Sequence, residues 1–200
     1  MGKQSNTKNQ IISTALDLFS KHGYSGTSIR HIAREVGVRE SAIYNHFSSK
    51  KEILKAVLKG FKKTAPSKET LSEKLIDELD TPRIFLKDFA MVLIKEWATE
   101  REKKFMRLIL MEQFREIDGI NISMMEYFNE LRIILKMIFE QMIKHGFIRK
   151  HNSELLADEY IAILYYIRVE HLTSDKKSIL KKIEQLVGKH IDFFWEAVKP

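Results

Sequence analysis

Residues 27–54, TSIRHIAREVGVRESAIYNHFSSKKEIL, decide the fold because they contain two short helices separated by a tight turn. Thr27 is a good N-cap for the first helix, and Gly37 ends that helix after barely two turns. A second short helix follows, and Ser49 with Glu52 forms a capping box that opens another. This spacing is typical of a helix-turn-helix, whose second helix enters the major groove of DNA.

The side chains that the two helices leave exposed are polar and aromatic, as a DNA-reading surface requires. Arg39 can form a bidentate pair with guanine, Asn45 can pair with adenine, and Glu40 can accept a hydrogen bond from cytosine. Hydroxyl, imidazole and ammonium groups around them suit phosphate oxygens, which position a protein without reading sequence. The predicted DNA-binding residues are Thr27, Ser28, Arg30, Arg39, Glu40, Ser41, Tyr44, Asn45, His46 and Lys50.

Positive charge is concentrated at the same end of the chain. Residues 1–63 contain twelve Lys or Arg against four Asp or Glu, so the whole net charge of +7 arises in the first third of the sequence. A basic N-terminal segment joined to a nearly neutral remainder indicates that the N-terminal segment binds a polyanion.

Several classes of function are disfavoured. The absence of cysteine excludes disulfides and thiolate sites and fits a reducing cytoplasm. The chain has no paired metal-binding histidines, glycine-rich phosphate loop or Gly-x-Ser-x-Gly motif. The longest strongly apolar run, residues 160–167, is too short to cross a bilayer. We expect a soluble, cytoplasmic protein that is not an enzyme, needs no metal or cofactor and has no membrane partner.

The rest of the chain is predicted to be helical, which makes the fold class all-α. A mostly polar junction at residues 62–81 precedes long helices at about 82–99, 102–116, 121–145, 153–172 and 176–198. The predicted domains are a DNA-binding domain at 1–61, which includes the start of the fourth helix, and a helical effector-binding and dimerisation domain at 62–200.

The last two helices carry broad apolar surfaces. Such surfaces can be covered by a second copy of the chain or buried within one subunit, and the pattern favours the dimer. The predicted interface residues are Leu164, Ile183, Leu186, Val187 and Phe194.

The helix-turn-helix resembles the tetracycline-repressor (TetR) family. The resemblance covers about the first 55 residues, and the matching positions follow the family's spacing without a gap. They are Gly23-Tyr24, Thr27-Ser28-Ile29-Arg30, Ile32-Ala33, Val36-Gly37-Val38, Ile43-Tyr44, His46-Phe47 and Lys50-Lys51-Glu52-Ile53-Leu54. The resemblance implies nine helices, three in an N-terminal helix-turn-helix domain and six in a larger ligand-binding domain. It also implies dimerisation through the last two helices and a small-molecule pocket in each C-terminal domain.

Arg39 departs from the family's pattern. The family usually has Ser or Thr there, where the hydroxyl caps the recognition helix. Because arginine cannot serve as this cap, the helix is expected to be less well capped, and Arg39 is available to read DNA.

The effector pocket is predicted from apolar and aromatic residues, each of which alone is more often ordinary core. Glu112 and Arg168 stand out because they lie among apolar neighbours, where a charge needs a salt bridge or a ligand of opposite sign. The predicted pocket residues are Phe89, Trp97, Phe105, Ile109, Glu112, Phe128, Tyr165, Tyr166 and Arg168.

Together these features predict a ligand-responsive repressor. It would bind a double-stranded inverted-repeat operator as a homodimer and be released by a small apolar or amphipathic effector. Two alternatives stay open, which are a DNA-binding protein of the same fold without a small-molecule effector and, more remotely, an all-helical enzyme.

Overall fold

The computed structural model describes residues 2–61, 81–117, 119–171 and 180–200, which form nine α-helices. They are α1 (Gly2–His22), α2 (Ile29–Val36), α3 (Glu40–Tyr44), α4 (Lys50–Phe61), α5 (Pro82–Trp97), α6 (Glu100–Glu112), α7 (Met124–Lys144), α8 (Ser153–His171) and α9 (Leu180–Val198). The predicted all-α class and the helix-turn-helix of α2 and α3 are confirmed. The junction predicted at 62–81 falls almost wholly outside the described residues.

The predicted cap of α2 is wrong by one residue. Ser28, not Thr27, is the N-cap, and its hydroxyl oxygen accepts a hydrogen bond of 3.0 Å from the backbone N–H of His31. Thr27 is 1% exposed, and its hydroxyl donates to the carbonyl of Gly23 at 2.9 Å. Both residues favour caps, so the sequence alone did not distinguish them.

The described residues form two compact units. The first takes in those within Met1–Thr64 and Lys104–Met124, and the second takes in those within Ala65–Lys103 and Met125–Pro200. Because the boundary falls inside α6, most of this helix and the loop after it belong to the same unit as the helix-turn-helix.

The first unit is built around α1, which packs against α2 and α4. Ile11, Ala15 and Phe19 recur every four residues on one face of α1, and each is completely buried. Ile32 of α2 and Ile43 of α3 are also completely buried, so the two helices of the motif share this core. The fixed angle between α2 and α3 therefore depends on the packing of α1 and α4 behind them.

The second unit has its own core, formed by α5, α7, α8 and α9. Tyr160 of α8 is completely buried, and its hydroxyl donates to the carbonyl of Leu86 at 2.5 Å. Phe139 and Phe194 pack against the Tyr160 ring. Burial raises the pKa of Tyr160, so its hydroxyl remains a hydrogen-bond donor at physiological pH.

This core contains four of the five residues predicted for the dimer interface. Leu164, Ile183 and Val187 are 0% exposed and Phe194 is 5% exposed, and all four belong to the core of their own unit. Leu186 is half-buried against it. These side chains offer little surface to a second chain, because the apolar stripe that the sequence shows on α9 is the stripe that faces the protomer's own core.

Candidate nucleic-acid interface

A sharp turn between α2 and α3 sets the direction of the second helix of the motif. Gly37 has φ 79° and ψ 30°, in the left-handed region where other residues are strained. The next N–H, that of Val38, donates to the carbonyl of Ala33 at 2.9 Å. This closes the end of α2 and turns the chain directly into α3.

The helix α3 is short and amphipathic. Ile43 and Phe47 face inward at 0% and 6% exposure, whereas Tyr44 is 53% exposed. Four more of the predicted DNA-binding residues are also exposed, and they are Arg39, Glu40, Ser41 and Asn45. Asn45 is the C-cap residue of α3, so the predicted reading surface extends from one end of the helix to the other.

A basic cleft of about 710 Å³, which we call cleft A, lies where α2 and α3 meet. Its lining residues are Ser28, Arg30, His31, Ala33, Arg34, Val38, Arg39 and Glu40. The Arg30 Nε atom is 3.9 Å from Glu40 Oε1, and the Arg30 side chain is 88% exposed, so this pair adds little stability and leaves the guanidinium available. Arg34 was not among the predicted residues, although the basic charge of this segment pointed to it.

Lys50 lies at the start of α4 and holds the loop between α1 and α2. Its ammonium donates to the carbonyls of Tyr24 and Thr27, both at 2.8 Å, and lies 4.2 Å from the centroid of the Tyr24 ring. Burial lowers the pKa of Lys50, and the negative charge of Glu112 opposes that change. Two of the three ammonium hydrogens thus serve the protein's own backbone.

Glu112, at the end of α6, holds the same loop from another side. Its carboxylate is completely buried, and Oε1 accepts a hydrogen bond of 2.9 Å from the Tyr24 N–H. Arg115 Nη1 lies 3.5 Å from the same oxygen. Gly23 is needed beside it, because its φ is 72° and a Cβ there would lie 2.8 Å from Oε1. Glu112 therefore contacts the helix-turn-helix unit, not the second unit where the effector residues were expected to meet.

The other predicted effector residues divide between the two units. Phe105 and Ile109 are buried in the first unit, at 4% and 3% exposure. Phe89 lies in the core of the second unit, and Tyr166 is 52% exposed. The structure therefore does not bring all nine residues together.

Four of the nine meet in the second unit around a buried ion pair. Phe128 makes edge-to-face contacts with Trp97 and Tyr165, with ring centroids 6.0 and 5.2 Å apart. The Arg168 guanidinium lies 4.7 Å from the Trp97 centroid, and Nη2 donates to Glu102 Oε2 at 2.7 Å. Glu102 lies within the charged run EREKK, which gave no sign of burial, yet it is 1% exposed.

The described ranges contain neither a metal-binding cluster nor a membrane-spanning helix. His, Asp and Glu side chains there form no group of three or more that could hold a metal ion. Every helix in those ranges is too short or too polar to span a bilayer.

A short capped helix, a glycine turn and an exposed five-residue second helix define a helix-turn-helix. Residues 11–57 match the family model for bacterial regulatory proteins of the tetR family. The helix-turn-helix segment of the chain is therefore similar to that of the TetR family of transcriptional regulators.

Curated relatives match through the same segment. The biofilm operon icaADBC negative transcriptional regulator IcaR of Staphylococcus aureus is 42% identical over 52 residues, which cover 26% of this chain and 28% of that protein. The transcriptional regulator SrpR of Pseudomonas putida is 44% identical over 52 residues, which cover 26% and 24% of the two chains. The match therefore spans only about a quarter of each relative.

Solved structures match over nearly the whole chain. A putative TetR-family regulator from Mesorhizobium loti has a TM-score of 0.71 at 20% identity and covers 100% of both chains. A transcriptional regulator from Aquifex aeolicus has a TM-score of 0.67 at 19% identity and covers 94% of this chain and 98% of its own. At these identities the likeness shows the shared fold.

Replacing Arg39 by serine should stabilise the protein. Arg39 is the N-cap of α3, with an extended backbone (φ −74°, ψ 152°) and no capping hydrogen bond from its side chain. A serine hydroxyl in that position can accept from a free N–H of α3 and is expected to add about 0.5–2 kcal/mol to the free energy of unfolding. Urea unfolding at fixed protein concentration measures this. Arg34→Ser, within α2, is the control and should give no gain; an unstabilised Arg39→Ser would contradict the cap assignment.

Removing the Glu112 carboxylate should release the Tyr24 amide. In Glu112→Ala the partly buried Tyr24 N–H loses this acceptor, at a cost of about 1–3 kcal/mol, whereas Glu112→Gln keeps an oxygen that can accept the bond. Hydrogen exchange of the Tyr24 amide should accelerate in the alanine variant and much less in the glutamine variant. Glu116→Ala, an exposed change nearby, controls for the loss of charge. Unchanged protection of Tyr24 in Glu112→Ala would show that this contact does not hold the loop.

Proposed function

We propose that the protein is a transcriptional repressor that binds an inverted-repeat DNA operator as a homodimer and is released by a small apolar or amphipathic molecule. The observation that carries the proposal is the exposed polar surface of α3, held by a buried core and bordered by the basic cleft A. In this proposal residues 1–61 bind DNA, residues 62–200 bind the effector and the second subunit, and the protein acts in the cytoplasm.

The DNA-binding residues divide into two roles. Arg39, Glu40, Ser41 and Asn45 lie on or beside α3 and are proposed to read base edges. Tyr44, His46, Ser28 and Arg30 are proposed to contact phosphates. Thr27 and Lys50 bond to the α1–α2 loop, so we propose that they contribute to binding chiefly by holding that loop.

Two similar proteins are repressors, which supports a repressor function for this protein. IcaR is a negative transcriptional regulator, and it matches this chain through the segment that carries α2 and α3. NalD of Pseudomonas aeruginosa, a fold relative at 17% identity with a TM-score of 0.66, is the secondary repressor of a multidrug efflux pump.

The proposed dimer uses the faces of α8 and α9 that the protomer leaves exposed. Tyr166 of α8 and Phe193 of α9 are 52% and 78% exposed, and Leu155 at the start of α8 is 56% exposed. Large exposed apolar side chains on two helices favour coverage by a second chain. These residues replace the buried ones that the sequence pattern selected.

The proposed effector site is the aromatic cluster of Trp97, Phe128 and Tyr165 with Arg168. Aromatic walls around a charged group are typical of sites for amphipathic ligands. The internal pairing of Arg168 with Glu102 also fits the alternative, a regulator of the same fold without a small-molecule effector, because the buried charge already has a protein partner.

Asn45→Ala should weaken binding to the operator and relax its preference at one base pair in each half-site. Loss of a bidentate contact to adenine is expected to cost about 1–3 kcal/mol for the preferred duplex and little for duplexes altered at that base pair. Fluorescence anisotropy with a series of single-substitution duplexes measures both effects. Asn129→Ala, an exposed change on α7, is the matched control. Equal loss on every duplex would contradict base reading by Asn45.

Effector binding should change the fluorescence emission of Trp97. The effector and the operator should also weaken each other's binding by the same factor. A panel of long-chain carboxylic acids and quaternary ammonium compounds can be screened by tryptophan emission with Trp195→Phe, which keeps Trp97, and with Trp97→Phe as the control. A compound that changes emission only in the first variant should weaken operator binding, and the operator should weaken its binding by the same factor, about 5–150-fold. A compound bound at Trp97 that leaves operator affinity unchanged would support the alternative without effector control.

A further inference from the structure

A second basic cleft lies at the opposite end of α3 from cleft A. This cleft B has a volume of about 360 Å³ and is formed by α1, the segment after α3 and the outer face of α4. Its lining residues are Lys8, His46, Phe47, Ser48, Glu52, Lys55, Ala56 and Lys59. Cleft A is lined by Arg39 and Glu40 at the start of α3, and cleft B by the residues that directly follow it.

The lining of cleft B has an excess of positive charge. Its one carboxylate, that of Glu52, is 2.9 Å from the Lys55 ammonium, so these two charges largely cancel. Lys8 and Lys59 supply the excess, and both are exposed. The Lys8 ammonium lies 5.5 Å from the centroid of the Phe47 ring, a cation–π contact that keeps it over the cleft.

The length of α3 explains why both clefts would meet DNA. A helix of five residues is roughly 7–8 Å long, whereas the major groove is about 12 Å wide and is walled by the two sugar-phosphate strands. We take α3 to lie across the groove, and in that orientation the residues beyond its two ends lie against opposite strands. Cleft A meets one strand and cleft B meets the other.

We propose that cleft B is a phosphate-binding site for the second DNA strand. Lys8 and Lys59 neutralise backbone phosphates, and the Ser48 hydroxyl and His46 imidazole donate hydrogen bonds to their oxygens. The site reads no bases, and it extends the DNA contact to α1 and the outer face of α4, beyond the helix-turn-helix itself. This inference rests on the proposed function, since it assumes that the protein binds DNA through α3.

The dependence of DNA affinity on salt tests the site. In a dimer, Lys8→Ala with Lys59→Ala removes four lysines, so the slope of log K against log salt should become less steep by about four units. Affinity should fall by the same factor for the selected operator and for a scrambled duplex, because phosphate contacts carry no sequence preference. Lys8→Arg with Lys59→Arg should restore the slope, and Lys59→Ala alone, which leaves the Lys8–Phe47 contact in place, should give about half the effect.

Two more variants test whether the effect depends on the charge of cleft B. Glu52→Gln removes the one negative charge of the cleft, and it should strengthen binding to both duplexes. Lys87→Ala with Lys95→Ala, two exposed lysines of α5, is the matched control for net charge and should leave the slope nearly unchanged.

An unchanged slope in the Lys8 and Lys59 double variant would overturn the phosphate site while leaving DNA binding through α3 intact. A loss confined to the operator would also overturn it, because that result means base reading. If the unaltered protein bound no duplex at any salt concentration, the proposed function and this inference would both fail.

Discussion

The loop between α1 and α2 is held from two sides by opposite charges, and the DNA-binding surface depends on this arrangement. Lys50 bonds to the carbonyls of Tyr24 and Thr27, and Glu112 accepts the N–H of Tyr24. The loop leads directly into Ser28, which caps α2, and α2 leads through Gly37 into α3. A change at either charge is therefore passed along a short, hydrogen-bonded path to the helix proposed to read DNA.

The same arrangement suggests how regulation can reach the DNA-binding unit. Glu112 ends α6, a helix whose first residues belong to the second unit and whose remainder belongs to the first. A movement of α6 along or around its axis would displace the carboxylate from Tyr24, because a hydrogen bond weakens steeply with misalignment. In the proposed function, an effector that favours a position of α6 in which this bond is lost would lower DNA affinity.

The helix-turn-helix was predicted well because helix-capping and turn preferences act within a few residues. Gly37 and the capping pair of Ser49 and Glu52 behave as expected, and Arg39 leaves α3 without a side-chain cap, as its type requires. The dimer residues could not be chosen reliably from the sequence, because an apolar stripe on α9 shows that a face is buried and not what buries it. The partner of Glu112 could not be predicted either, because Tyr24 is 88 residues away in the sequence.

Two copies of α3 are proposed to read an inverted repeat. This proposal can be tested by selecting bound duplexes from a random library with the protein and then sedimenting the complex. We expect enrichment of two inverted half-sites whose centres lie about one helical turn apart, roughly 34–36 Å, or a multiple of it, bound by a dimer or by pairs of dimers. Enrichment of a single half-site by a monomer, or no enrichment at all, would contradict it.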